Sequence, residues 1–206
     1  MTEKYVPTLD DIAKDALKAR TNVLTDDGKY SNARRNVLEK EWTEEIRSNV
    51  ITELPFTVPD DILQKLRDLA FVADYKSYYE LNLCDIQQGD ARDWITQTFS
   101  PFEEIQTFAF LKLAKNSYIM PHADPNRYVN IYIPLYPLGD DYTPLEIYYN
   151  NKIYGIPCNT NKVYAWNTRI LHGVMNKGAH ERYNLQMSIY FPYSEWYEKY
   201  KEIIDV

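Results

Sequence analysis

Apolar residues recur along this 206-residue chain with two periods, and the change from one to the other falls near residue 100. Before it the spacing is helical. Pro7-Thr8-Leu9-Asp10-Asp11 reads as a helix start, with acids in the first turn and Ile12, Ala16 and Leu17 on one side. Leu38, Trp42 and Ile46 recur every four residues and predict an amphipathic helix that ends near Val50. Pro59-Asp60-Asp61 opens a third helix, whose apolar stripe is Ile62, Leu66 and Leu69. Residues 90–99 predict a fourth, shorter one, and 78–83 a strand between them.

From Thr107 onward the pattern is of strands separated by turn residues, over 108–113, 128–135, 145–149, 152–154, 163–166, 171–175 and 182–191. Asn150-Asn151 between two tyrosine-bearing runs is a two-residue hairpin signal, because asparagine tolerates positive φ. Asn159-Thr160-Asn161 and Asn176-Lys177-Gly178 mark further turns, and residues 195–204 close the chain as a helix. Short strands following a helical layer predict an α+β fold with a mainly β core. The expected architecture is a double-stranded β-helix, or jelly roll of cupin-like form, with N-terminal helices packed on one sheet. The expected organisation is a single domain, 1–206. It divides into a mostly helical layer to residue 100, a jelly-roll core over 101–193 and a C-terminal helix over 194–206.

Two strands alternate strictly. Tyr183, Leu185, Met187, Ile189 and Phe191 are apolar, while Arg182, Asn184, Gln186 and Ser188 between them are polar. Val129, Ile131, Ile133 and Leu135 likewise alternate with Asn130 and Tyr132. A polar face of an antiparallel sheet ordinarily meets solvent. Here it consists of amides and hydroxyls rather than Lys and Glu, which predicts a polar cavity inside the roll.

Composition narrows the possibilities. A net charge of -7, with no run that concentrates Lys and Arg, argues against phosphate-driven nucleic-acid binding. No run approaches the ~18 apolar residues of a membrane helix, and the first residues lack the apolar stretch of a signal peptide. The two cysteines, Cys84 and Cys158, form neither a disulfide framework nor a paired metal motif. A cytoplasmic location is therefore expected. The 19 tyrosines suit half-buried strands and could equally line a pocket with phenolic donors.

The chemistry rests on two of the three histidines. In Tyr118-Ile119-Met120-Pro121-His122-Ala123-Asp124, extended chain places His122 and Asp124 on one side, with Cα atoms roughly 6.5–7 Å apart. An imidazole and a carboxylate at that spacing can converge on one ion. The third ligand must come from another strand, and His172, in Leu171-His172-Gly173-Val174, supplies it. Two His and one carboxylate on one face of a metal leave other positions open, the arrangement of non-haem Fe(II) oxygenases. Arg182 follows ten residues after His172, at the head of the alternating strand, and offers a planar fork matched to a carboxylate. His180 competes with His172 but lies in the polar turn Lys177-Gly178-Ala179-His180-Glu181. Arg127 and Arg169 could bind a carboxylate or serve as surface residues. Tyr118, Tyr164, Trp166 and above all Tyr132, which shares the polar parity of its strand, are candidates to line the cavity. Asp140-Asp141 reads as a solvated loop pair.

H-x-D, a distant His in an L-H-G-V context and an Arg ten residues on resemble the Fe(II)/2-oxoglutarate oxygenase superfamily, over roughly residues 108–191. The resemblance implies iron held by His122, Asp124 and His172, with 2-oxoglutarate and O₂ as cosubstrates. It implies that Arg182 holds the far carboxylate of 2-oxoglutarate, with Asn184 where the family often has serine, and with Tyr132 beside it. It implies hydroxylation of an unactivated C–H bond, in a small molecule or a peptide side chain, with release of succinate and CO₂. Arg rather than Lys at 182 departs from the prolyl 4-hydroxylase pattern. The run 127–135 loosely resembles the aspartyl/asparaginyl β-hydroxylases, which generally lack the carboxylate ligand that Asp124 supplies. Two alternatives stand beside this reading: a catalytically silent jelly-roll binding or structural module, and a Zn or Mn cupin enzyme. The second lacks the H-x-H with a following Glu that such cupins carry.

Overall fold

The computed structural model describes residues 36–37, 42–78, 81–85, 90–125, 127–137, 144–150, 152–156, 161–176 and 179–206. The helix expected from Pro7, the pair Asp140-Asp141 and Cys158 lie outside them. In chain order the elements are β1 (Asn36–Val37), α1 (Glu44–Asn49), β2 (Ile51–Thr57), α2 (Asp60–Val72), β3 (Lys76–Tyr78), β4 (Leu81–Asp85), α3 (Asp90–Thr98), β5 (Ile105–Leu113), β6 (Tyr118–His122), β7 (Val129–Tyr136), β8 (Glu146–Tyr149), β9 (Lys152–Gly155), β10 (Lys162–Asn167), β11 (His172–Met175), β12 (Arg182–Ile189) and α4 (Tyr193–Ile204).

The strands form two sheets, a larger one in the order β2-β10-β7-β12-β5-β4-β3 and a smaller one in the order β1-β9-β8-β11-β6. Apart from the short parallel pair β1–β9, neighbours are antiparallel, as a jelly roll requires. The hairpin β8–β9 turns at Asn150, whose φ of 48° is the left-handed conformation that asparagine accepts.

The alternation in β7 and β12 is explained by burial on both faces. Val129, Ile131, Ile133, Leu135, Leu185, Met187 and Ile189 face outward and pack with Leu63, Leu66 and Ala70 of α2 and with Trp196, Tyr197 and Tyr200 of α4. The opposite face carries Asn130, Tyr132, Arg182, Asn184, Gln186 and Ser188, all buried. It shares the space between the sheets with Ile147, Tyr154, Tyr164, Trp166 and Val174. Six polar side chains enclosed there make the interior of the roll polar. The tyrosines divide in the same way: Tyr193, Tyr197 and Tyr200 serve the outer core, while Tyr132, Tyr154 and Tyr164 lie between the sheets.

Three features differ from the sequence pattern. The segment before residue 100, read as mostly helical with one strand over 78–83, supplies to the larger sheet β2, which the pattern does not predict, and in place of that one strand the pair β3 and β4. Pro55 interrupts the strand signal in β2, and the sheet tolerates it because β2 is an edge, where one row of N–H groups needs no partner. Of the helix read through Leu38, Trp42 and Ile46, the described residues show one short element, Glu44–Asn49, capped by Thr43 Oγ1 accepting from Ile46 N, and Leu38 lies outside them. On α2 the buried stripe is Leu63, Leu66 and Ala70, while Leu69 is 41% exposed. Two stripes share Leu66, and docking on the sheet selected the one turned by about one residue.

Candidate metal centre

The two histidines come together because their strands pair. His122 ends β6, His172 begins β11, and their Cα positions are direct partners. The register slips between His172 and Val174, and Gly173 sits at the slip. A Cβ on Gly173 would lie 2.9 Å from the Ile119 carbonyl oxygen and 3.1 Å from Pro121 N, so only glycine lets the strands approach this closely. Past His122 the chain leaves the sheet and is caught by main-chain bonds. Asp124 N donates to Thr168 O at 2.8 Å, and Thr168 N donates to Tyr128 O at 3.0 Å. Arg169 Nη1 donates to the carbonyls of Asp124 and Pro125 at 2.9 and 2.8 Å.

The result is a compact donor set. His122 Nε2 lies 3.4 Å from Asp124 Oδ1, His172 Nε2 lies 3.9 Å from Asp124 Oδ2, and the ligating atoms all fall within 4.8 Å of one another. Metal bonds of about 2.0–2.2 Å hold neighbouring donors about 3 Å apart, so these side chains close on one ion with small movements. His172 is buried while His122 keeps 34% side-chain exposure, so the set opens on one side only.

Protonation suits the same purpose. His172 Nδ1 lies 2.8 Å from the Ile170 carbonyl, which can only accept, so Nδ1 carries the hydrogen and Nε2 is left as a donor to metal. Burial pushes its pKa down to about 3, against the opposing pull of Asp124, and the ring is neutral at pH 7. Burial also works to raise Asp124, but the hydrogen bond from His122 and the charges of Arg127 and His172 outweigh it and hold the carboxyl well below its usual range. The Arg127 charge persists when the His172 ring is neutral. An ionised oxygen and the neutral His172 ring bind a cation without first losing a proton. The Trp166 ring packs against His172, centroids 4.3 Å apart at 66°, and shields it from water.

Deeper along the same face, Arg182 is buried and donates through Nη2 to the Tyr132 hydroxyl. Four residues of β12, about 13 Å of strand, separate Arg182 from Gln186 at the metal end. Asn184, beside Arg182, has both carboxamide atoms buried without a hydrogen-bond partner among the described residues. Such a group costs about 1–3 kcal/mol unless something satisfies it. A guanidinium beside an unsatisfied amide fits the carboxylate of a small polar ligand. Asn130 and Trp166 Nε1, nearer the histidines, are buried and unsatisfied in the same sense.

The structure thus brings together His122, Asp124 and His172, and separately Arg182, Tyr132 and Asn184. His180 is exposed, with its ring 5.7 Å from that of Tyr136, and is not part of the donor set. Two features escaped the sequence reading. One is the Ile170 carbonyl that orients His172. The other is the use of Gln186 and Ser188, which accept from Arg127 Nη1 at 3.2 and 3.3 Å while Arg127 Nε holds Asp124 Oδ2 at 2.5 Å. The polar parity of β12 was the available signal for the second; a main-chain acceptor leaves none.

The sequence matches no protein-family model and no curated protein. The three-dimensional arrangement does match solved structures. A Pseudomonas putida prolyl-4-hydroxylase superposes with a TM-score of 0.59 at 13% identity, over 71% of this chain and 95% of that one. A Trichoplax adhaerens prolyl hydroxylase, solved with a hypoxia inducible factor oxygen degradation domain peptide fragment, gives 0.58 at 10% identity over 94% and 97%. The chain has the fold of the 2-oxoglutarate/Fe(II) oxygenases. HygX from Streptomyces hygroscopicus, with nickel, 2-oxoglutarate and hygromycin B bound, shares this oxygenase fold at a TM-score of 0.56 and 9% identity, over 74% and 90% of the two chains.

Proposed function

We propose that the chain is a non-haem Fe(II)- and 2-oxoglutarate-dependent oxygenase that hydroxylates an unactivated C–H bond. The observation that carries this reading is the pairing of two features on facing sheets. An ionised carboxylate and two imidazoles converge at the opening, and a buried guanidinium with an unsatisfied amide lies behind them. A metal binder alone needs only the first. The reaction balances as substrate C–H, O₂ and 2-oxoglutarate giving C–OH, succinate and CO₂. The bound iron supplies O₂ activation and the oxidising chemistry.

The chain's own residues supply position and environment. His122, Asp124 and His172 would hold the metal, a set of two imidazoles and one carboxylate that would leave it room for the cosubstrates. Arg182 grips the far carboxylate of 2-oxoglutarate, with Tyr132 and Asn184 completing its hydrogen bonds. Ile170 keeps the His172 tautomer constant, and Trp166 keeps water from its inner side. The substrate is a small molecule or a peptide side chain that reaches the metal from the exposed side of His122. HygX binds the first kind and the Trichoplax adhaerens enzyme the second.

Anaerobic addition of Fe(II) and 2-oxoglutarate tests the reading. A weak visible charge-transfer band is expected, and succinate formation on admitting O₂ should rise with the correct substrate. A protein that binds Fe(II) yet never develops the band with 2-oxoglutarate would instead be a metal-binding jelly roll without this chemistry.

A further inference from the structure

Arg127 lies between the donor set and the strand that carries Arg182. Its Nε donates to Asp124 Oδ2 at 2.5 Å, and its Nη1 reaches Gln186 Oε1 and Ser188 Oγ on β12 at 3.2 and 3.3 Å. Its own backbone is fixed, because Thr168 Oγ1 donates to the Arg127 carbonyl at 2.6 Å. With 24% of the side chain exposed, the guanidinium is held by Asp124 on one side and by Gln186 and Ser188 on the other. A surface arginine that pairs with an acid has no need of two further acceptors on another sheet.

Asp124 has two oxygens of different surroundings. Oδ1 faces His122 Nε2 at 3.4 Å, whereas Oδ2 receives the arginine. A charge-assisted bond of this kind is about twice as strong as a neutral one. We propose that Arg127 is a positioning residue that occupies Oδ2 so that Asp124 gives the metal one oxygen only. The inference rests on the oxygenase reading and deepens it. An ion with six positions would give two to the histidines and two to a chelating cosubstrate. A carboxylate using both oxygens would fill the position that O₂ requires. Arg127 also ties the ligand carboxylate to β12, so the donor set and Arg182 on the same strand keep a constant separation.

The test compares wild type with Arg127→Gln and Arg127→Lys. Anaerobic Fe(II) affinity of Arg127→Gln should stay within a few-fold of wild type or tighten, because a competing cation is removed and a second oxygen becomes available. Succinate formation at saturating 2-oxoglutarate should fall at least tenfold, with a smaller change in KM for 2-oxoglutarate. The d–d absorption of the Co(II)-substituted variant should shift with the altered carboxylate. Lys keeps a donor for Oδ2 without the fork, so it should restore part of the rate. Should Arg127→Gln fold poorly, Ser188→Ala cuts one outer anchor only and should lower the rate mildly at constant iron affinity. Loss of iron in proportion to loss of rate would overturn the inference, because Arg127 would then merely hold the loop together. Unchanged rate and unchanged Co(II) spectrum would overturn it as well. If wild type itself gave no charge-transfer band, the oxygenase reading would be the one that fails.

Discussion

Oδ1 of Asp124 lies 3.4 Å from Nε2 of His122, two residues away in the chain, while Oδ2 lies 3.9 Å from Nε2 of His172, on a neighbouring strand. The carboxylate therefore links a local motif to a distant residue. Asp124→Ala should lower Fe(II) affinity at least a hundredfold, beyond the ~10–100-fold seen when only a partner behind a ligand is lost. The apolar core does not include Asp124, so cooperative unfolding should persist. His172→Ala should behave alike, and His180→Ala should keep activity within a few-fold. Iron titration with thermal unfolding of all three variants checks this, and iron loss in the His180 variant alone would reassign the third ligand.

Arg182 makes a prediction about the cosubstrate rather than the metal. Arg182→Gln should leave Fe(II) affinity nearly unchanged and weaken 2-oxoglutarate binding tenfold to a few hundredfold, because hydrogen bonds to charged groups are worth ~1.5–3 kcal/mol each. Lys should recover only part, lacking the planar fork. Titration of 2-oxoglutarate into the anaerobic Fe(II) protein reads the difference; equal affinities would remove Arg182 from the cavity's chemistry.

Gly173 tests the strand contact that brings the histidines together. An added methyl at 2.9 Å from the Ile119 carbonyl must push β6 and β11 apart. Gly173→Ala should destabilise the fold by about 1–3 kcal/mol, the usual range for overpacking, and should weaken iron binding because both histidines flank the contact. Denaturant unfolding and iron titration check both. Iron binding as in wild type would mean that the strands can part without moving the ligands.

The neutral His172 ring gives the metal-free protein a pH dependence. Its folded pKa of about 3 lies below its ordinary value of 6.5, so between those values the unfolded chain binds a proton that the folded one does not. Stability is then fully present above about 6.5 and falls as pH drops, by up to about 1.4 kcal/mol per pH unit from this residue. Asp124, held below its ordinary 3.8, adds a further loss only at lower pH, as its carboxylate is protonated. Chelator-treated protein unfolded at several pH values between 4 and 8 should show the slope, and His172→Gln should flatten it. Equal slopes in the two proteins would assign the dependence to other groups.

What the sequence determined by itself is what nearest neighbours and pleat parity can carry. Seven of the eight strands from β5 on, the hairpin at Asn150, the helix starts at Pro59 and near Asp90, and the two faces of β7 and β12 all follow from local periodicity, whereas β6, which carries His122, has no strand signal of its own. The nearness of His122 and Asp124 is expected of extended chain, although the strand ends at His122 and the bond from Asp124 N to Thr168 O places the carboxylate. That Arg182 and Asn184 belong to an interior face was legible because amides and an arginine, rather than Lys and Glu, alternate with the apolar positions. Tertiary structure decided the rest. Whether Leu69 or Ala70 joins Leu66 in the core depends on how α2 lies on the sheet, which periodicity leaves open. Whether residues 51–57 extend the larger sheet depends on an available edge beside β10. The register that sets His172 opposite His122 and the reach of Arg127 across to Gln186 and Ser188 each join residues from separate stretches of chain. Contacts of that kind leave no periodic trace, because closing them is a matter of how two sheets pack and not of what any one strand prefers.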